Sequence, residues 1–111
     1  IRLRWESGHL VEATASTNQD YLQAIVQTDA GAGLIGEFAF GTNPYVTSFT
    51  KDILIDEKIG GTVHIALGRS YPESGGDNRS AIHWDIIKDI RREGAVYVDG
   101  RLVLEGGVFY L

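Results

Sequence analysis

Ile1, Leu3 and Trp5 alternate with Arg2, Arg4 and Glu6, the period-two pattern of a half-buried strand. Ser7-Gly8 is a turn signal, and Leu10, Glu12, Thr14 and Ser16 then alternate with Val11, Ala13 and Ala15. The two runs predict an antiparallel hairpin. The period then changes. Tyr21, Leu22, Ile25 and Val26 fall on one helical stripe behind an N-cap at Thr17 or Asn18, and Gly31 and Gly33 stop it. Leu34 to Phe40 reads as a buried strand holding one carboxylate, Glu37, and Gly41 to Thr50 reads as loop.

Ile53 to Leu67 supports two readings. As a helix, Asp56 caps it and Ile59, Val63, Ala66 and Leu67 form its buried stripe; Gly60-Gly61 weighs against this by about 1 kcal/mol per glycine. As a strand, Thr62 to Leu67 alternates only weakly. Helix is favoured, with Asp56-Glu57 as an acid pair at its N-terminus. Gly68 to Arg79 is a polar loop, Ser80 to Ile87 a strand, and Asp89 to Gly94 a charged turn. Val96 and Val98, the turn Asp99-Gly100, then Leu102 and Leu104 make a second hairpin, because Asp-Gly suits a type I′ turn. Val108 to Leu111 adds a last short strand. The sum is an α+β fold: a mainly antiparallel sheet built from hairpins, with about two helices packed on it.

Length and charge narrow the function. A chain of 111 residues is the size of a single domain, 1–111. Its net charge of −5 argues against nucleic acid or an anionic membrane as partner. The absence of cysteine excludes disulfides, zinc fingers and thiol nucleophiles. No apolar run reaches the ~18 residues of a membrane span. A start at Ile1 with no methionine anywhere suggests a piece of a longer protein.

The candidate chemistry lies in few residues. His83 and Asp85 share one face of a predicted strand, about 6.6–7 Å apart along it. His64 lies in the glycine-flanked segment, and Glu37 in an apolar strand where a lone carboxylate is costly unless paired or bound to a cation. Singly, each has an ordinary explanation: a hydrogen-bonded His–Asp pair, a salt-bridge glutamate, a satisfied helix histidine. His9 reads as a solvated hairpin residue. Jointly, two imidazoles and two carboxylates are the ligand types of hydrolytic zinc, manganese or cobalt sites. The long loop joining His64 to His83 is either a surface connection or a substrate loop. In the second case Tyr71 donates its hydroxyl to a developing oxyanion and Arg79 binds a carboxylate. Asn78-Arg79-Ser80 also fits a glycosylation acceptor pattern, discounted without secretory signs.

Gly36-Glu37-Phe38, the run Asp56-Glu57-Lys58-Ile59-Gly60-Gly61-Thr62-Val63-His64-Ile65-Ala66-Leu67-Gly68, Tyr71-Pro72 and Asn78-Arg79-Ser80-Ala81-Ile82-His83-Trp84-Asp85 together resemble the C-terminal part of the thermophilic aminopeptidase family, nearest its leucyl aminopeptidase branch. The resemblance covers most of the chain. It implies a cytoplasmic, homodimeric, dinuclear metallo-aminopeptidase acting on peptide substrates through metal-activated water. By the resemblance, Glu37, His64, His83 and Asp85 are metal ligands and Tyr71 is catalytic. One more glutamate ligand and a large N-terminal α/β domain belong to the rest of the parent chain, upstream of Ile1. Glu6 and Glu12 lie in the opening hairpin, outside the matching motif. The fragment alone is therefore expected to be inactive. Two other readings stand beside this one. A non-haem iron site also uses two histidines and a carboxylate, but in 2-oxoglutarate oxygenases the His-x-Asp precedes the lone histidine, and here His64 comes first. A non-catalytic dimerisation or interaction module with a partial metal site is the third.

Overall fold

A computed structural model describes residues 1–110. The elements in chain order are β1 (Arg2–Glu6), β2 (His9–Thr14), α1 (Gln19–Val26), β3 (Ile35–Phe40), α2 (Ile53–Asp56), β4 (Thr62–Gly68), β5 (His83–Asp89), β6 (Ala95–Val98), β7 (Arg101–Glu105) and β8 (Val108–Phe109). The fold is α+β with mainly antiparallel sheets, as the hydrophobic patterning predicts. Among the described residues, no helix is long and apolar enough to cross a membrane. The chain divides into two compact units, residues 1–37 with 65–84, and residues 38–64 with 85–111. A three-stranded sheet has the order β3-β4-β5.

In the first unit, β1 and β2 pair antiparallel, with Leu3 opposite Ala13 and Trp5 opposite Leu10. The register slips once, between Arg4 and Trp5. Helix α1 buries Leu22. Its polar side chains fix it to β2: Gln19 and Gln23 both donate to the Ala13 carbonyl, at 3.0 and 2.9 Å. The Trp5 indole N–H donates to the Gly33 carbonyl at 2.9 Å, so a side chain of β1 holds the segment that leads into β3.

In the second unit, the expected helix over 53–67 is a single turn followed by a strand. Asp52, not Asp56, caps α2, accepting from the Leu54 N–H at 3.0 Å. Asp56 is its last residue, and its carboxylate instead receives the N–H and hydroxyl of Thr50 and the N–H of Lys51. A helix could not run on through to Leu67, because Gly61 takes φ +81°, a left-handed conformation open to glycine. There an added Cβ would also stand 2.7 Å from the Gly107 backbone. Ile59, Thr62 and Leu104 are fully buried. Strands β6, β7 and β8 form an antiparallel sheet in that order around the Asp99-Gly100 turn. Phe40 meets Phe38 and Phe109 edge-on, at 5.2 and 5.7 Å. The last short strand is present as β8; Leu111 lies outside the described residues.

Candidate metal centre

Neighbouring strands bring alternate side chains to one face of a sheet. β3 supplies Glu37, β4 supplies His64 and β5 supplies Asp85. One ligand atom from each lies within 4.8 Å of the other two. Ligands held at about 2.0–2.2 Å from one ion stand no more than about 4.4 Å apart, a little inside the 4.8 Å that bounds this group. The donor chemistry also fits. One imidazole and two carboxylates suit zinc, manganese or cobalt. His64 is buried and both carboxylates are half-buried, so water competes weakly for them. Among the described residues, this is the one group of three such donors so close together.

His83 stands beside the group through Glu37, with its Nε2 3.5 Å from Glu37 Oε2. Its Nδ1 is 2.7 Å from the Arg69 carbonyl oxygen. A carbonyl only accepts, so Nδ1 must carry the proton. That leaves Nε2 as the ring nitrogen on the Glu37 side, the one a metal would take in place of the Glu37 contact. His83 thus has Glu37 as a neighbour within the first unit, and the three-donor group named above is Glu37, His64 and Asp85. Tyr71 packs its ring edge-on against His83 at 5.2 Å and is half exposed. Arg79 is exposed and lines a separate cavity in the loop.

That loop, 69–82, is ordered by side chains the sequence did not single out for this purpose. Asn78 Nδ2 donates to the carbonyls of Gly31 (2.9 Å) and Gly68 (2.6 Å), while Oδ1 accepts from the Ser80 N–H at 3.0 Å. Asp29 accepts from the Ala81 N–H at 2.8 Å and the Ser80 hydroxyl at 3.0 Å. The Ala81 N–H, then the Ser80 hydroxyl, hold the Asp29 carboxyl below the usual carboxylate range. The Arg69 N–H donates to the Ile82 carbonyl at 2.7 Å, and Arg69 Nε to the Ser80 carbonyl at 3.0 Å. Together these bonds set the Arg69 carbonyl on His83. Gly36 permits the approach, since a Cβ there would stand 2.3 Å from the Gly68 oxygen and 2.4 Å from the Arg69 oxygen. No local sequence signal announces the bonds from Asp29 to Ser80 and Ala81 or from Asn78 to Gly31, each across about fifty residues.

The sequence profile of the thermophilic metalloprotease (M29) family matches residues 1–107. The chain belongs to that family. Aminopeptidase T of Thermus thermophilus is 32% identical over 118 residues, covering 90% of this chain and 28% of its own length. Aminopeptidase AmpS of Bacillus subtilis is 26% identical over 103 residues, covering 87% of this chain and 24% of its own length. The chain thus spans about a quarter of the curated M29 relatives it matches. No solved structure matches it significantly.

Proposed function

We propose that this chain forms part of a dinuclear metal-dependent aminopeptidase, in which Glu37, His64 and Asp85 hold divalent metal and His83 completes the protein's donors on this side. The observation that carries the reading is the convergence of three donors from three strands within 4.8 Å. Membership of a metalloprotease family and two relatives named as aminopeptidases support it. Bound zinc, cobalt or manganese would polarise the scissile carbonyl and lower the pKa of a coordinated water. The chain's own residues do the rest. The Arg69 carbonyl keeps the His83 proton on Nδ1 and turns Nε2 toward Glu37. Tyr71, steadied by its edge contact with His83, offers a phenolic O–H to negative charge developing on the carbonyl oxygen.

Titration of the purified chain with cobalt or zinc against a chelator tests the reading. Glu37→Gln and His64→Ala should each weaken binding at least about tenfold. Metal affinity unchanged by both substitutions would refute the site. The 111 residues correspond to about a quarter of each relative, and we expect them to hold metal without the turnover of a full-length relative. Hydrolysis of leucyl-p-nitroanilide at a full-length rate would sink that expectation.

A further inference from the structure

The loop between β4 and β5 borders an open cavity of about 450 Å³, within the range of small-molecule sites. Arg69 and Arg79 line it, with Asp77, Asn78 and Ser70. Among the lining residues, two arginines stand against one aspartate, a formal balance of one positive charge on a chain whose overall charge is −5. That balance suits a monoanion better than a phosphate, which carries about −1.5 to −2 near neutral pH. The walls are fixed. Ser70 is buried; its N–H donates to the Asn78 carbonyl at 3.0 Å and its hydroxyl accepts from the Asn78 N–H at 2.9 Å. Arg69 Nε is held by the Ser80 carbonyl, which leaves the two terminal nitrogens as the fork for a ligand.

The cavity is also tied to the candidate centre. Arg69 presents its carbonyl to His83 and its side chain to the cavity. The Tyr71 carbonyl accepts from Gly76, another lining residue, at 3.2 Å, while the Tyr71 ring lies on His83. Arg69 thus touches His83 with its backbone and the cavity with its side chain, so the two lie about one extended arginine apart. At about 3.3–3.6 Å per residue, roughly 7 Å is the reach of about two residues of extended peptide, so a di- or tripeptide matches the scale.

We propose that the cavity binds the C-terminal carboxylate of a di- or tripeptide whose amino end points toward His83 and Glu37, which makes short free peptides the preferred substrate class. The inference rests on the aminopeptidase reading for the direction of the peptide. A guanidinium–carboxylate pair recognises the free chain end and gains nothing from a neutral amide.

The test is calorimetric titration of the whole chain, with cobalt present, using Leu-Gly-Gly and its C-terminal amide. The free acid should bind about five- to tenfold tighter. Arg79→Gln, an exposed substitution, should reduce that difference to twofold or less while leaving cobalt affinity unchanged. Amide resonances of Gly76 to Arg79 should shift with the acid and not with the amide. Equal binding of acid and amide overturns the proposal, as does a full difference retained in Arg79→Gln. Displacement of the peptide by inorganic phosphate at equal affinity also overturns it, because the cavity would then be a general anion site. A persisting acid–amide difference in a chain that binds no cobalt would support the cavity and refute the metal centre, so the two readings fail separately.

Discussion

Replacing Gly36 with alanine should damage the metal centre without touching a ligand. The new Cβ would stand 2.3 Å from the Gly68 oxygen and 2.4 Å from the Arg69 oxygen, both backbone atoms that cannot rotate aside. Real Cβ contacts essentially never fall below 3.0 Å, so the strands must part by about 0.7 Å from the 2.3 Å contact. Overpacking of this kind costs about 1–3 kcal/mol. The Arg69 carbonyl is the acceptor for His83 Nδ1 at 2.7 Å. Lengthened by the same ~0.7 Å, that bond reaches about 3.4 Å, past the ~3.2 Å limit of a useful N–H···O bond. Loss of the bond that fixes a ligand's tautomer weakens metal binding about 10–100-fold. Two measurements separate the effects. Urea unfolding reports the strain, and cobalt titration with ¹⁵N shifts of the His83 ring reports the tautomer. Leu22→Ala serves as a control for destabilisation alone, because it empties a buried position in α1 at a cost of about 2–5 kcal/mol rather than disturbing the Gly36–Arg69 contact. Cobalt affinity of folded Gly36→Ala within threefold of the parent, with His83 still protonated at Nδ1, would refute the reasoning.

Other outcomes follow from the same contacts. Asn78→Ala removes the donor to Gly31 and Gly68 and the acceptor of the Ser80 N–H, and should cost about 2–3 kcal/mol in urea unfolding; a loss below about 0.5 kcal/mol would show the loop is held otherwise. Asn78→Asp keeps the acceptor but turns a carboxylate on two carbonyls, so it should be no better tolerated. Stability should also fall in acid. Asp29 is held below the ordinary carboxylate range first by the Ala81 N–H, Asp56 first by the Thr50 N–H, and Asp89 is drawn down to about 2 by the Arg91 side chain. Depressed folded values give stabilisation that is present above the ordinary 3.8 and lost as pH falls through the folded values. Thermal midpoints should therefore be level from about pH 7 to 5 and drop between about 4 and 2; a midpoint unchanged at pH 2.5 would contradict this.

What the sequence announced were the elements with a solvent face. The β1–β2 and β6–β7 hairpins alternate in and out of water around Ser7-Gly8 and Asp99-Gly100, and α1 shows one apolar stripe. β4 was hidden for the opposite reason. It is the middle strand of its sheet and six of its residues are buried or nearly so, from Thr62 through Leu67, so no polar face marks its period. Its apolar residues then mimic a helical stripe, and only the φ of Gly61 settles the matter. At the candidate site, Glu37 and Asp85 stood out in the sequence because they are charges among apolar neighbours. The supports did not. Asn78 resembles an ordinary loop asparagine, and its bonds to Gly31 and Gly68 exist only after the chain has closed on itself.

That closure has a kinetic side. The Asn78–Gly31 and Asp29–Ser80 bonds join residues 47 and 51 positions apart. Contacts of such separation carry the loop-closure cost before they return any stability, so they form late in folding. His83 therefore acquires its fixed tautomer only when the segment from Asp29 to Ala81 has been gathered. A chain refolding with metal present should capture it in a slow second phase, after the two hairpins and α1 have formed, and the order of events would make metal uptake a report that folding is finished.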